Sequence, residues 1–269
     1  MGDMNPDLAT VCRLLEQDAL RNLVTLKMLN LHPGSMSFEL QQDADDWALL
    51  SLLKVCDSEW DRKTYPDCKY VAFIDGTNSR RKAQLLARLP KENLVVKTGD
   101  ELVRERIVQA GKGTKIMTFH SFTKGKQSTP VKLDARVRQS AAYDKSAWEM
   151  FRANGYEDKE LVRYFQDGAQ WFGIESEGRL ASACFVFQNY KHIWEIAGVY
   201  TQPAFRRQGL GRMIVSGALG YLSVSGLVPR YQARWDNQAS ISLAKACGLI
   251  EFLQMDHYLL RMRAEAGAT

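Results

Sequence analysis

No apolar run in this chain reaches the ~18 residues that a membrane-spanning helix needs. The stretch from Met1 to Asp7 lacks the basic region and apolar core of a secretory signal. Cysteine is sparse: Cys12, Cys56, Cys68, Cys184 and Cys247 are scattered, odd in number and form no C-x-x-C pair. A disulfide framework, a zinc ribbon and a thioredoxin-type motif are therefore not expected; free thiols in a reducing cytoplasm are. Histidine is equally scarce. His32, His120, His192 and His257 do not stand at metal-ligand spacing, so no metal is expected. Short repeats, low-complexity tracts and the dinucleotide fingerprint G-x-G-x-x-G are also missing. The net charge of +5 is small and its basic residues are spread along the chain. It fits a phosphate-rich small partner better than a nucleic acid, whose footprint clusters, and no membrane partner is expected.

What is present is an ordinary globular composition, 45% hydrophobic and 25% charged over 269 residues, enough for one large domain or two. Leu8, Val11, Leu15, Ala19, Leu23, Leu26 and Leu29 recur at helical spacing and predict one long helix over 6–30, stopped by His32-Pro33-Gly34. Strands are expected at 36–41, 47–54, 69–75, 93–97 and 114–122, with helices at 79–89 and 99–110. Residues 124–130 are polar with Gly and Pro and read as a linker. The pattern then restarts: strand 131–139, helices 143–153 and 157–167, strands 170–175, 180–189 and 192–201, helix 209–225, strand 230–235, helix 238–247, and a strand pair 249–254 and 256–262. The fold class is α/β with a mixed sheet, and the expected domains are 1–123 and 131–269.

The sharpest local signal follows the strand Ile193 to Thr201. After Gln202-Pro203, the run Arg206-Arg207-Gln208-Gly209-Leu210-Gly211 opens a helix. Its glycines permit a tight turn and leave amides uncovered, and a helix N-terminus with bare amides suits a pyrophosphate. Arg206, Arg207 and Arg212 add positive charge. Leu210, Met213, Ile214, Ala218 and Tyr221 would be buried, and Gly217 would permit close approach to a sheet.

The stretch Gly198 to Gly211, GVYTQPAFRRQGLG, resembles the acetyl-CoA motif of the GNAT superfamily of N-acetyltransferases. It is most similar to the FR-type and glycine N-acyltransferase-like branch. Arg234-Trp235-Asp236-Asn237-Gln238-Ala239-Ser240-Ile241-Ser242-Leu243-Ala244 is similar to the W-D-x-x-N/S-x-x-L-A run of the same proteins, and Gly248-Leu249 stands where they have Gly-Phe. The resemblance covers about 131–262. It implies a sheet split between its fourth and fifth strands, with acyl-CoA in the split. The pantetheine arm would pair with the backbone of Ala197, Val199 and Thr201. The pyrophosphate would rest on the turn, from Arg206 and Arg207 through Gln208, Gly209, Leu210 and Gly211 to Arg212. Asn237 and Ser240 would either touch the pantetheine or only cap their helix.

Acyl transfer to an amine needs a base for the ammonium proton. Glu195 is the candidate: it lies on the strand feeding the turn, in period-two register with Ala197, Val199 and Thr201. The resemblance supports it, because histone-modifying GNAT enzymes carry a catalytic glutamate on the equivalent strand. The alternative is a structural glutamate paired with His192, Lys191 or an arginine. Many GNAT enzymes have an acidic Tyr where this chain has Ala244, so Tyr200, Tyr231 and Tyr258 remain as candidate acids, or none is dedicated. Backbone N–H of Val199 is the implied oxyanion donor. Cys184 and Cys247 have no histidine pattern beside them, so direct transfer is expected over a covalent route.

Residues 1–123 hold no second phosphate turn; the junction at Asp75-Gly76-Thr77-Asn78-Ser79-Arg80-Arg81 has one glycine. The resemblance implies a degenerate GNAT-like half. The acceptor, a small-molecule amine, would approach past Phe151, Tyr156, Tyr164 and Phe165, which equally fit a core. The expected activity is acetyl transfer from acetyl-CoA to that amine, with a catalytically weak acyl-CoA-binding module as the alternative.

Overall fold

The computed structural model describes residues 6–43, 45–111, 113–125 and 134–261. They divide into two compact units: one takes the chain up to Phe119 and again from Leu253, the other runs from His120 to Phe252.

In the first unit the leucine spacing yields two helices rather than one, α1 (Leu8–Glu16) and α2 (Leu23–Leu31). The break falls where short polar side chains take over backbone bonds. Asp18 Oδ1 accepts from the Arg21 amide at 3.1 Å, and Asn22 Nδ2 donates to the Leu15 carbonyl at 2.9 Å. α1 still buries Val11, Leu14 and Leu15 and α2 buries Leu23, Leu26 and Leu29, whereas Leu8 and Leu31 at the outer ends are exposed. Strands β1 (Met36–Asp43) and β2 (Asp46–Lys54) form a hairpin. A short helix that the periodicity did not reveal, α3 (Glu59–Thr64), follows, capped by Ser58 accepting from the Asp61 amide. Then come β3 (Tyr70–Gly76), α4 (Ser79–Leu85), β4 (Leu94–Thr98), α5 (Glu101–Gln109) and the start of β5 (Gly113–Lys124), whose residues from His120 belong to the second unit. β3 lies antiparallel to β2 and parallel to β4. The other edge of β4 is taken by the last strand among the described residues, with Asp256 to Leu260 antiparallel to Thr98 to Leu94.

One sheet face packs on α4 and α5 through Leu50, Ile74, Leu85, Val96, Val103 and Ile107. The other carries a polar cluster. Lys97 Nζ of β4 meets Asp61 Oδ1 of α3 at 2.9 Å, with both side chains at most 5% exposed. The rings of Trp60, Phe73 and Tyr65 surround that ammonium at 4.9, 5.3 and 5.6 Å. At the end of β3, Asp75 accepts from Thr25 Oγ1 at 2.6 Å, yet burial raises its carboxyl from 3.8 to about 6. The folded state thus binds this proton before the unfolded chain does. Stability should therefore fall as pH rises from about 4 to about 6, by at most about 3 kcal/mol. Asp75→Asn is expected to remove that fall, measured as urea-unfolding free energies of both proteins at pH 4 and 7.

The second unit contains β6 (Val137–Ser140), α6 (Lys145–Ala153), α7 (Asp158–Gln166), β7 (Gln170–Ser176), β8 (Arg179–Tyr190), β9 (Ile193–Thr201), α8 (Leu210–Val224), β10 (Val228–Arg234), α9 (Gln238–Ala246) and the start of β11 (Leu249–Leu260). Its strand order is β10-β9-β8-β7-β6, antiparallel except for the parallel pair β9 and β10. The expected strand over 131–139 begins outside the described residues, as does most of the expected linker, 126–130. The expected pair 249–254 and 256–262 is one continuous strand, β11. Its residues from Leu253 lie in the first unit because their backbone pairs with β4.

Two cores flank this sheet. α8 buries Leu210, Ile214, Val215, Ala218 and Leu222 against Phe172, Val186 and Ile196. A Cβ on Gly217 would come within 2.9 Å of Val137 Cγ1, so glycine there is what lets α8 lie against β6. On the opposite face, α6 and α7 pack Trp148, Phe151 and Leu161 over Trp171, Phe185 and Phe187. Asp144 starts α6 by accepting from the Ala147 amide, and a Glu157–Glu160 capping box starts α7.

Candidate active site

β9 and β10 run in register only from Ile193↔Val228 to Ile196↔Tyr231. β9 then continues to Thr201 and β10 to Arg234. The sheet therefore opens between its fourth and fifth strands in this unit, and the Ala197–Thr201 edge of β9 faces the opening. On its other side β9 bulges against β8, where the pairing steps from Phe185↔Ala197 to Ala183↔Tyr200. Gly198 makes the bulge, with φ +61. A Cβ there would come within 2.7 Å of Phe185 Cδ1.

The bulge corrects the period-two expectation for this strand. Ala197 and Tyr200 pack with the α6–α7 cluster, whereas Val199 packs with the α8 cluster. Glu195 is thus not in simple alternation with Val199 and Thr201, because one residue is inserted between them. The Val199 carbonyl already accepts from Asn154 Nδ2 at 3.2 Å, which ties the loop after α6 to the bulge.

After Thr201 the chain makes a short 3-10 turn, Pro203–Phe205, anchored by buried Phe205. Arg207 at φ +61 and Gly209 at φ +78 swing it into α8. Gly209 is the N-cap and supplies no side chain, so the first amides of α8 carry no side-chain cap. Gly211 lies just inside, where a Cβ would sit 3.6 Å from Leu243 Cδ2 and from Thr201 Oγ1. The protein itself has room for that methyl, so packing alone does not require glycine there. Arg207, Gln208 and Arg212 are exposed around the turn. Arg206 is also exposed but folds back: its Nε donates to the Thr201 carbonyl at 3.1 Å and its guanidinium lies 5.9 Å from the Tyr200 ring. These bare amides, the positive helix end and three nearby guanidiniums fit a pyrophosphate.

Asn237 caps α9, its Oδ1 accepting from the Ser240 amide at 3.1 Å, and Ser240 Oγ shares a hydrogen bond with Tyr231 at 2.7 Å. The capping geometry is therefore in place, leaving Asn237 Nδ2 as the group free to turn outward.

Glu195 is 7% exposed and has the arginine partner that the structural alternative named by type only, within a wider network the sequence did not disclose. Arg230 Nη1 donates to its Oε2 at 2.6 Å and Asn189 Nδ2 to the same oxygen at 2.8 Å. Arg230 reaches onward to Ser121 Oγ at 3.3 Å. The partner is an arginine directly across the parallel register, Arg230↔Glu195. Only the register, which no local pattern reveals, would have singled it out. Oε1 of Glu195 makes no hydrogen bond among the described residues.

Of the candidate acids, Tyr231 is buried and its phenol is raised to about 12, chiefly by burial. Tyr200 lies under Arg206. Tyr258 belongs to the first unit's core and pairs with Val96, so it does not lie among the second unit's residues. Cys184 is wholly buried and its thiol is pushed up; burial also raises Cys247 to about 11. Both stay as thiols near neutrality, which disfavours them as nucleophiles. Among the described residues no cluster of three His, Cys, Asp or Glu side chains is placed to hold a metal, and no helix is long and apolar enough to cross a membrane.

The acetyltransferase (GNAT) family matches residues 140–249, which contain β9, the turn, α8, β10 and α9. No match is found among curated proteins. Solved structures resemble the chain along nearly all its length. A GCN5-related N-acetyltransferase from Sphaerobacter thermophilus superposes with a TM-score of 0.64 at 10% identity, over 98% of this chain and 96% of that one. An acetyltransferase from the GNAT family of Colwellia psychrerythraea gives 0.59 at 10% identity, over 97% and 100%. A tandem GNAT protein from the clavulanic acid biosynthesis pathway gives 0.52 at 12% identity, over 99% and 98%. The chain thus has the mixed α/β fold of GNAT acyl-CoA N-acyltransferases, and its residues 140–249 match the acetyltransferase (GNAT) family.

Proposed function

We propose that this protein transfers an acetyl group directly from acetyl-CoA to a primary amine of a small molecule, in a reducing cytoplasm. One observation carries the reading: the opened edge of β9 leads through one short turn into the bare amides of α8, with a carboxylate a few residues back along the same strand. Acetyl-CoA supplies an activated thioester carbonyl. Ala197, Val199 and Thr201 offer backbone groups along the opening to its pantetheine arm. The turn from Arg206 to Arg212, with Gly209 and Gly211 leaving the amides clear, holds the pyrophosphate. Asn237 and Ser240 stand at the next helix start. Val199 N–H is the donor toward the developing oxyanion. Glu195 takes the ammonium proton on Oε1 while Arg230 and Asn189 fix Oε2. The domains of this reading are a catalytic one from 131 and a degenerate GNAT-like one over 1–123. Kinship with the FR-type and glycine N-acyltransferase-like branch rests on the G-V-Y-T strand of β9.

The Arg230 pair and Ala244 favour a second reading, an acyl-CoA-binding module with weak turnover. Glu195→Gln separates the two. Glutamine retains an oxygen for Arg230, so acetyl-CoA affinity measured by calorimetry should be unchanged while turnover drops about 10²-fold or more. Full turnover in the variant removes Glu195 from the base role; failure of the unaltered protein to bind acetyl-CoA removes the donor.

A further inference from the structure

The hydrogen-bond arithmetic beside Glu195 is lopsided. Oε1 of Glu195 accepts nothing, and Oδ1 of Asn189, a residue 8% exposed, is a buried oxygen with no partner. Both are acceptors. The nearby donors, Arg230 and Asn189 Nδ2, are already engaged with Glu195. A buried acceptor without a donor, hydrogen-bonded through its own amide to a carboxylate whose second oxygen is open, calls for a group that only donates. An ammonium has three donors and no acceptor.

Aromatic rings share the sheet face that carries Glu195. Phe187 is directly opposite Glu195 in the β8–β9 register. Tyr164 of α7 stacks on Phe187 with centroids 4.0 Å apart and planes at 25°. Tyr156 meets the neighbouring Phe185 edge-on at 5.0 Å. The phenols of Tyr156 and Tyr164 are both raised, first by burial and then by carboxylates that include Glu195 and Glu160. Two carboxylates therefore act on the same pair of rings. A cation placed beside these rings and carboxylates is favoured by both. A ligand carboxylate in the same place would be repelled; the cations at hand are Arg230, engaged by Glu195, and Arg163, whose guanidinium lies 5.2 Å from the Tyr164 ring.

We infer that this face of β8 and β9, walled by Tyr156, Tyr164 and Phe187 around Glu195, selects a primary ammonium on an apolar or aromatic skeleton with no carboxylate beside it. The inference deepens the acceptor side of the proposed acetyl transfer and rests on that reading for its role, but the binding it requires is independent of acetyl-CoA.

The test uses the full chain without acetyl-CoA at pH 7. 2-Phenylethylammonium, phenylalanine and glycine are titrated by calorimetry and ligand-observed NMR. Phenylalanine keeps the ring and the ammonium and adds the carboxylate. 2-Phenylethylammonium is expected to bind about tenfold more tightly than either amino acid. Tyr164→Leu, which removes one π face, should weaken it about tenfold, while Tyr164→Phe retains it and both variants bind acetyl-CoA as before. Equal or tighter binding of phenylalanine or glycine overturns the inference through Arg163 recognition, and unchanged affinity in Tyr164→Leu overturns it as well. Loss of acetyl-CoA binding alone would strike the donor reading and leave the amine selectivity standing.

Discussion

Replacing Lys97 by methionine is expected to lower the unfolding free energy by about 3–5 kcal/mol. The substitution keeps an unbranched apolar stem against Trp60, Phe73 and Tyr65 but leaves Asp61 only 1% exposed and without its cation. Removing one partner of a buried pair strands the other in a poor solvent, which is dearer than losing both. The double change Lys97→Met with Asp61→Leu should therefore recover most of the loss, to within about 1 kcal/mol of the unaltered protein. Urea unfolding followed by circular dichroism reads both. Equal destabilisation in the single and the double variant would mean that packing around α3, not charge, holds this corner.

Gly198→Ala is expected to cost about 3 kcal/mol and to abolish acyl transfer. About 1–2 kcal/mol comes from holding an L side chain in the left-handed region at φ +61. The rest comes from overlap with Phe185, which cannot step aside because it is wholly buried among Phe151, Tyr156 and Phe165; overpacking of that kind costs about 1–3 kcal/mol. Relief comes either by displacing the ring or by flattening the bulge, and flattening would re-aim Val199 and the edge of β9. Phe185→Leu in the same chain should return part of the stability but not the turnover. Thermal unfolding and an acetyl-CoA consumption assay measure the two effects; a stable and active Gly198→Ala protein would show that the bulge is not needed.

Much of the second unit was legible because its signals are local. The strand-turn-helix at Thr201–Met213 carries its own glycines, arginines and helical period, and the structure puts α8 where they say. Gly217 against Val137 was likewise readable as a small residue on a packed face. The bulge was not: period-two reasoning has no way to count an inserted residue, so it put Glu195 and Val199 on one face. Arg230 escaped for a different reason. Its pairing depends on the alignment of two parallel strands joined through a whole helix, which propensity does not fix. The break between α1 and α2 hides in Asp18 and Asn22, polar residues that look like an ordinary solvent face until their side chains are seen bonding backbone.

The last strand has a consequence for the order in which the molecule can be completed. Thr98 of β4 waits for Asp256, and Leu94 for Leu260. During synthesis that edge of β4 therefore emerges as an unfilled ladder of N–H and C=O groups and stays so until Asp256 to Leu260, which follow the whole second unit, are made. Pairing so distant in sequence is slow to form, and an open strand edge is a template for other chains. The first unit is thus completed only after the second has been synthesised.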